Sequence, residues 1–124
     1  MSEMVNVCRR HNVKAAVKLA GKVPEGWTPG TNAWKVKLSM GPKRLTVPFY
    51  TGPGCKGEPS AADVLACIVS DALAGEMSFH EFCREFGYDD DSRKAKATHR
   101  ACQGMAKVRG FLGKHFAEFA EAQH

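Results

Sequence analysis

Three histidine–cysteine pairs are the first candidates for chemistry in this 124-residue sequence: Cys8 with His11, His80 with Cys83, and His99 with Cys102. Each pair is three residues apart, a spacing that sets two ligands on one helical face, and two such pairs would supply the four ligands of a structural zinc site. The surrounding pattern argues against that use. Cys83 falls within the apolar stripe Phe79, Phe82, Phe86, and at about 100° per residue His99 lies opposite the stripe Ala101, Met105, Val108, Leu112. Zinc sites more often carry paired C-x-x-C motifs, which this sequence lacks. The expectation is therefore buried free cysteines, solvent-facing histidines, no metal and no cofactor.

Other reactive arrangements are weaker still. Asp89, Asp90 and Asp91 resemble the start of a calcium loop, but the sixth and twelfth positions of such a loop would be Lys94 and Arg100 instead of Gly and Glu. A metal nuclease needs carboxylates converging from other segments, and the aspartates are better explained as acids at a helix start. No serine sits in a G-x-S-x-G elbow, and Cys67 lies in an apolar helical segment where a thiolate is disfavoured. Gly52-Pro53-Gly54 lacks the Gly-Lys-Ser/Thr of a phosphate loop. The sequence thus points to a non-enzymatic binding protein.

What it would bind with is its basic residues. Residues 1–56 hold ten Lys or Arg against two acids, a balance of +8, while residues 57–124 hold eight against eleven, a balance of −3. Lys35, Lys37, Lys43 and Arg44 gather near Tyr50 along two adjoining alternating segments, and Lys14, Lys18, Arg9 and Arg10 extend the group. Basic strands beside an aromatic side chain can track a nucleic-acid backbone and stack a base, and the same charge steers association with an acidic or RNA-bearing complex.

Positioning these residues requires a particular set of elements. Trp34, Val36, Leu38 and Met40 alternate with Lys35, Lys37 and Ser39, and after the turn Gly41-Pro42-Lys43 the residues Leu45, Val47 and Phe49 alternate with Arg44, Thr46, Pro48 and Tyr50. The period of two predicts a hairpin with one apolar and one basic face, with Pro48 marking either an edge strand or an unpaired position. Residues 12–21 fit either a helix, which their alanines and lysines favour, or a third strand. Ser60 predicts the start of a buried helix ending at Gly75, and Ser78 that of a short one ending at Gly87 with Phe79, Phe82, Cys83 and Phe86 inward. A long helix from Ser92 toward Gly113 and a final one over 114–122 complete the reading. The fold class is α+β: an antiparallel hairpin, with room for a third strand, on about four helices. Residues 1–30, ending in the Pro- and Gly-rich stretch 24–30, read as a basic extension with a linker, and residues 31–124 as the domain.

The composition, 44% apolar and 25% charged, is that of one globular domain, and no apolar run approaches the roughly 20 residues of a membrane span. The first residues have no apolar signal core, which leads to the expectation of a cytoplasmic protein with five reduced cysteines.

The segments Asn32-Ala33-Trp34-Lys35-Val36, Thr46-Val47-Pro48-Phe49-Tyr50, Ala61-Ala62-Asp63-Val64-Leu65, Phe82-Cys83-Arg84-Glu85-Phe86-Gly87-Tyr88-Asp89 and Asp91-Ser92-Arg93-Lys94-Ala95 together resemble a family of small bacteriophage and prophage accessory proteins. The resemblance covers roughly residues 32–113. It implies a phage protein in an infected bacterium that inhibits a host defence nucleoprotein, in the manner of an anti-CRISPR protein, by occupying its surface. The alternative drawn from the charge alone is a small nucleic-acid-binding accessory protein.

Overall fold

The computed structural model describes residues 3–21, 23, 27–55 and 57–122. A short helix, α1 (Glu3–Arg10), leads through Asn12, whose positive φ of 54° reverses the chain, into strand β1 (Val13–Ala20). Strands β2 (Asn32–Met40) and β3 (Lys43–Thr51) follow, and the three form an antiparallel sheet in the order β1-β2-β3. Gly41 and Pro42 make a two-residue turn between β2 and β3. The φ of +59° at Gly41, followed by a proline confined to negative φ, is the pattern of a type II′ hairpin turn.

Alternation divides the sheet into two faces. Val17, Val36 and Val47 lie in one cross-strand row, with Leu19, Trp34 and Phe49 in another, and Val36 and Leu38 are wholly buried. This face packs on α2 (Ala61–Gly75), whose Val64, Leu65, Ile68 and Val69 are also wholly buried. Around α2 lie α1, α4 (Arg93–Gln103), α5 (Ala106–Leu112) and α6 (Phe116–Ala122), with α5 also reaching β3. A single 3-10 turn, Gly113–His115, joins α5 to α6. The remaining helix, α3 (Phe79–Phe86), packs on α4, and Phe82 and Cys102 form a small second core there with Ala74. Ser60, Ser78 and Ser92 each accept a hydrogen bond from the backbone N–H three residues on, at 3.1–3.2 Å, fixing the starts of α2, α3 and α4.

The α+β class is thus the observed one, and several finer expectations change. Residues 13–20 form a strand, not the helix that their composition favours. Pairing along the whole of β2 and burial of Val13 outweigh a helix propensity worth only tenths of a kcal/mol per residue. The chain also does not divide at residue 30: Met4, Val7 and Val13 belong to the same core as β2 and α2, so residues 3–20 are part of the domain. Of the linker expected over 24–30, residues 24–26 lie outside the described residues.

The long helix expected from Ser92 breaks at Gly104, where the N–H of Gly104 bonds to the Arg100 carbonyl and that of Met105 to the Cys102 carbonyl, and α5 begins at Ala106. On α4 the buried side is Ala95, His99 and Cys102. His99, expected in solvent, is 6% exposed and its Nε2 donates to the Met77 carbonyl at 2.8 Å. Phe86, expected inward, is 52% exposed; on α3 Phe82 and Cys83 are buried and Phe79 is half-buried beside His99. Cys67, expected inside α2, is exposed, while Cys83 and Cys102 are buried as free thiols.

Candidate functional site

The face of the sheet turned away from the helices takes the residues that the core-facing ones leave over, and it is open except at Ala33, which is buried. β1 contributes Lys14, Ala16, Lys18 and Ala20, β2 contributes Ala33, Lys35, Lys37 and Ser39, and β3 contributes Arg44, Thr46, Pro48 and Tyr50. None of these side chains is acidic. The register sets Lys18 directly opposite Lys35, Ala16 opposite Lys37, Lys14 opposite Ser39, and Ser39 opposite Arg44. Side chains directly opposite one another are about 5 Å apart at Cβ, a distance at which like charges cost stability. Among the described residues, Lys14, Lys18, Lys35 and Lys37 are exposed and none enters a salt bridge. Four uncompensated ammonium groups therefore share one acid-free surface, a field that attracts polyanions.

Lys43 departs from this grouping. Pairing with Met40 puts it in register with the core-facing rows, and its Nζ donates to the Phe111 carbonyl at 2.6 Å, near the end of α5, while lying 5.3 Å from the Phe111 ring centre. A cation at a helix carboxyl end is a structural fastening. Arg44 is on the outer face, with its Nη1 donating to the Gly41 and Lys43 carbonyls at 2.6 and 2.9 Å. That guanidinium braces the turn and still presents its remaining N–H groups outward. Arg9 and Arg10 belong to α1, where Arg10 pairs with Glu118 at 2.8 Å.

Tyr50 ends the basic band. Opposite it stands Ala33, which is itself opposite Ala20, so two small side chains leave a shallow hollow of about 250 Å³ bounded by Tyr50, Pro48 and Lys35. The Tyr50 ring lies 4.6 Å from that of Trp27, centre to centre, at 40°. Past this aromatic pair, a groove runs between the open edge of β3 and α4. Its two lobes, of about 500 and 270 Å³, share Trp27, Tyr50, Ala97 and Thr98, with Asp71 and Arg100 in the larger and Lys94 in the smaller. Burial pushes the Asp71 carboxyl up to about 6, and burial together with nearby Asp71 pushes the Cys102 thiol up to about 11. A thiol held neutral is not a nucleophile.

The paired histidines and cysteines do not converge as pairs. His80 Nδ1 lies 3.3 Å from Asp90, the Cys83 thiol donates weakly to the Asp89 carbonyl at 3.8 Å, and His99 is committed to Met77. Among the described residues the grouping that could bring three metal ligands together is a different one: His11, His115 and Glu118. The spacing of Cys8 and His11 directs attention to the wrong partner; the legible signal was His115-x-x-Glu118, one helical turn near the carboxyl terminus. Trp27, within a Pro- and Gly-rich stretch, reads from sequence as linker, although its ring meets Tyr50.

No family model, curated protein or solved structure matches the chain.

Proposed function

We infer that the protein is a non-catalytic binder of single-stranded nucleic acid and that the open sheet face is its binding surface. The observation that carries this reading is the register: Lys18 faces Lys35 on a surface that also holds Lys14 and Lys37 and no acid, and that ends at Tyr50. Keeping like charges adjacent costs folding stability, and a bound phosphate backbone relieves that cost. The hollow over Ala20 and Ala33 accepts the flat body of a base against the Tyr50 ring, while Lys35 beside it reaches the adjoining phosphate. Stacking on an aromatic ring requires an unstacked base, which favours a single strand over a duplex.

The role implied by the phage-family resemblance, steric inhibition of a host defence nucleoprotein, would use the same face. Protein-only docking draws on clustered aromatic and apolar anchors. Among the described residues the large exposed apolar side chains are Leu19 and Phe86, neither of which is on this face. Nucleic acid is therefore the better-supported ligand.

Fluorescence anisotropy with a labelled single-stranded oligonucleotide tests this. Tyr50→Ala is expected to weaken binding by about 1–3 kcal/mol, the worth of one stacked base. Unchanged affinity in a folded Tyr50→Ala variant removes the stacking role. If tagged protein instead captures a defence complex that survives nuclease treatment, the inhibitor reading replaces this one.

A further inference from the structure

A second constellation is assembled where the turn after α1 meets the last helix. His11 stacks on His115 with ring centres 3.9 Å apart at 25°, and His11 Nε2 lies 3.0 Å from Glu118 Oε2. One ligating atom from each of the three side chains falls within 4.8 Å of the others, and all three residues are half-buried.

We propose that His11, His115 and Glu118 form a binding site for a divalent transition-metal ion of zinc type. Two imidazoles and one carboxylate suit such an ion, whereas magnesium and calcium favour shells made of oxygen. Three protein ligands leave a further position for water or for a group carried by a ligand. His11 and Glu118 already lie within hydrogen-bonding reach and the His115 ligand atom lies within 4.8 Å of both; because the nitrogen lone pairs lie in the planes of the two stacked rings, binding requires the imidazoles to turn out of their stack. Arg10 donates to the same Glu118 oxygen at 2.8 Å and must withdraw; its side chain is 55% exposed, so water receives it. The ion would join residues 107 positions apart, tying α1 and β1 to α6. The site exists only when these distant segments are brought together, so the ion binds the folded chain and stabilises it by mass action.

The test uses the full chain, stripped with a chelator, titrated calorimetrically with zinc, and followed by thermal unfolding with zinc or magnesium. One zinc per chain is expected, with the melting temperature raised by about 10 °C at a hundredfold excess over the dissociation constant, and no shift is expected with magnesium. Glu118→Gln and His115→Gln should each weaken zinc binding by at least about tenfold. Arg10→Gln should tighten it several-fold by removing a positive charge beside the ion. Cobalt(II) substituted for zinc should give visible d–d bands with no thiolate charge-transfer band. Absence of saturable binding would show that the cluster is an ion pair and a ring stack only. A thiolate band, or zinc binding unaltered in Glu118→Gln, would assign the metal to the cysteines and overturn the proposal. The cobalt spectrum of the unaltered chain needs no variant, so it decides the matter even where a substitution impairs folding.

Discussion

Lys18 and Lys35 illustrate at the residue scale how a fold can carry a charge arrangement that is unfavourable by itself. Replacing one of the two relieves cross-strand repulsion, so Lys18→Thr should raise unfolding free energy by about 0.2–0.5 kcal/mol in urea titrations while lowering affinity for single-stranded nucleic acid. A variant that is less stable and binds no worse would contradict the role given to the pair. Asp71 behaves oppositely to a salt-bridged carboxylate. Its folded-state value is pushed up to about 6 by burial, above the ordinary 3.8, so the fold favours the protonated form. The resulting stabilisation is complete below about pH 4 and is lost as pH rises through 6. Asp71→Asn is accordingly expected to be more stable than the parent by about 1–2 kcal/mol at pH 8, with the difference closing near pH 4; equal stability at both pH values would show that Asp71 is solvated. At this scale the sequence was legible for Lys35, Lys37 and Arg44, whose alternation sets their face. Lys43 was not, because only the approach of α5 shows that its ammonium reaches the Phe111 carbonyl.

Among the elements, α2 and α4 are in close backbone contact at Gly75. A Cβ built there would press on the Cys102 carbonyl group and lie 2.6 Å from Gln103 N, with backbone on the opposing side that cannot swing aside. Gly75→Ala should therefore cost about 1–3 kcal/mol despite alanine's better helix propensity, a sign that chemical denaturation would read directly. Stabilisation by the same substitution would mean that the two helices separate freely. The element boundaries marked by local chemistry were legible: Ser60, Ser78 and Ser92 cap helices, and Gly41-Pro42 turns the hairpin. What local chemistry left open was decided by distant partners. Val13–Ala20 becomes a strand because β2 offers it an edge, and α4 rotates His99 inward because Met77 offers it a carbonyl. The site suffered most from the first of these, since only as a strand does the segment align Lys14 and Lys18 with Lys35 and Lys37.

Taken as a whole, the molecule separates its tasks by face. Helices cover the apolar side of a three-stranded sheet, and the other side keeps an acid-free row of lysines ending in an aromatic pair. Of the ten Lys or Arg behind the +8 balance of residues 1–56, Lys14, Lys18, Lys35, Lys37 and Arg44 share the open sheet face, because β1 joins the sheet. A surface of this kind should be recognised by its response to salt, since phosphate contacts release counterions. The most direct measurement is the affinity for a single-stranded oligonucleotide across a range of salt concentrations, for the parent chain and for Lys18→Glu/Lys35→Glu. If about four phosphates are bound, log affinity should fall against log salt with a slope near −3 for the parent, and the double variant should bind at least tenfold more weakly with a shallower slope. A flat salt dependence, or a double variant that is folded and binds like the parent, would contradict the assignment of the open sheet face as the nucleic-acid surface.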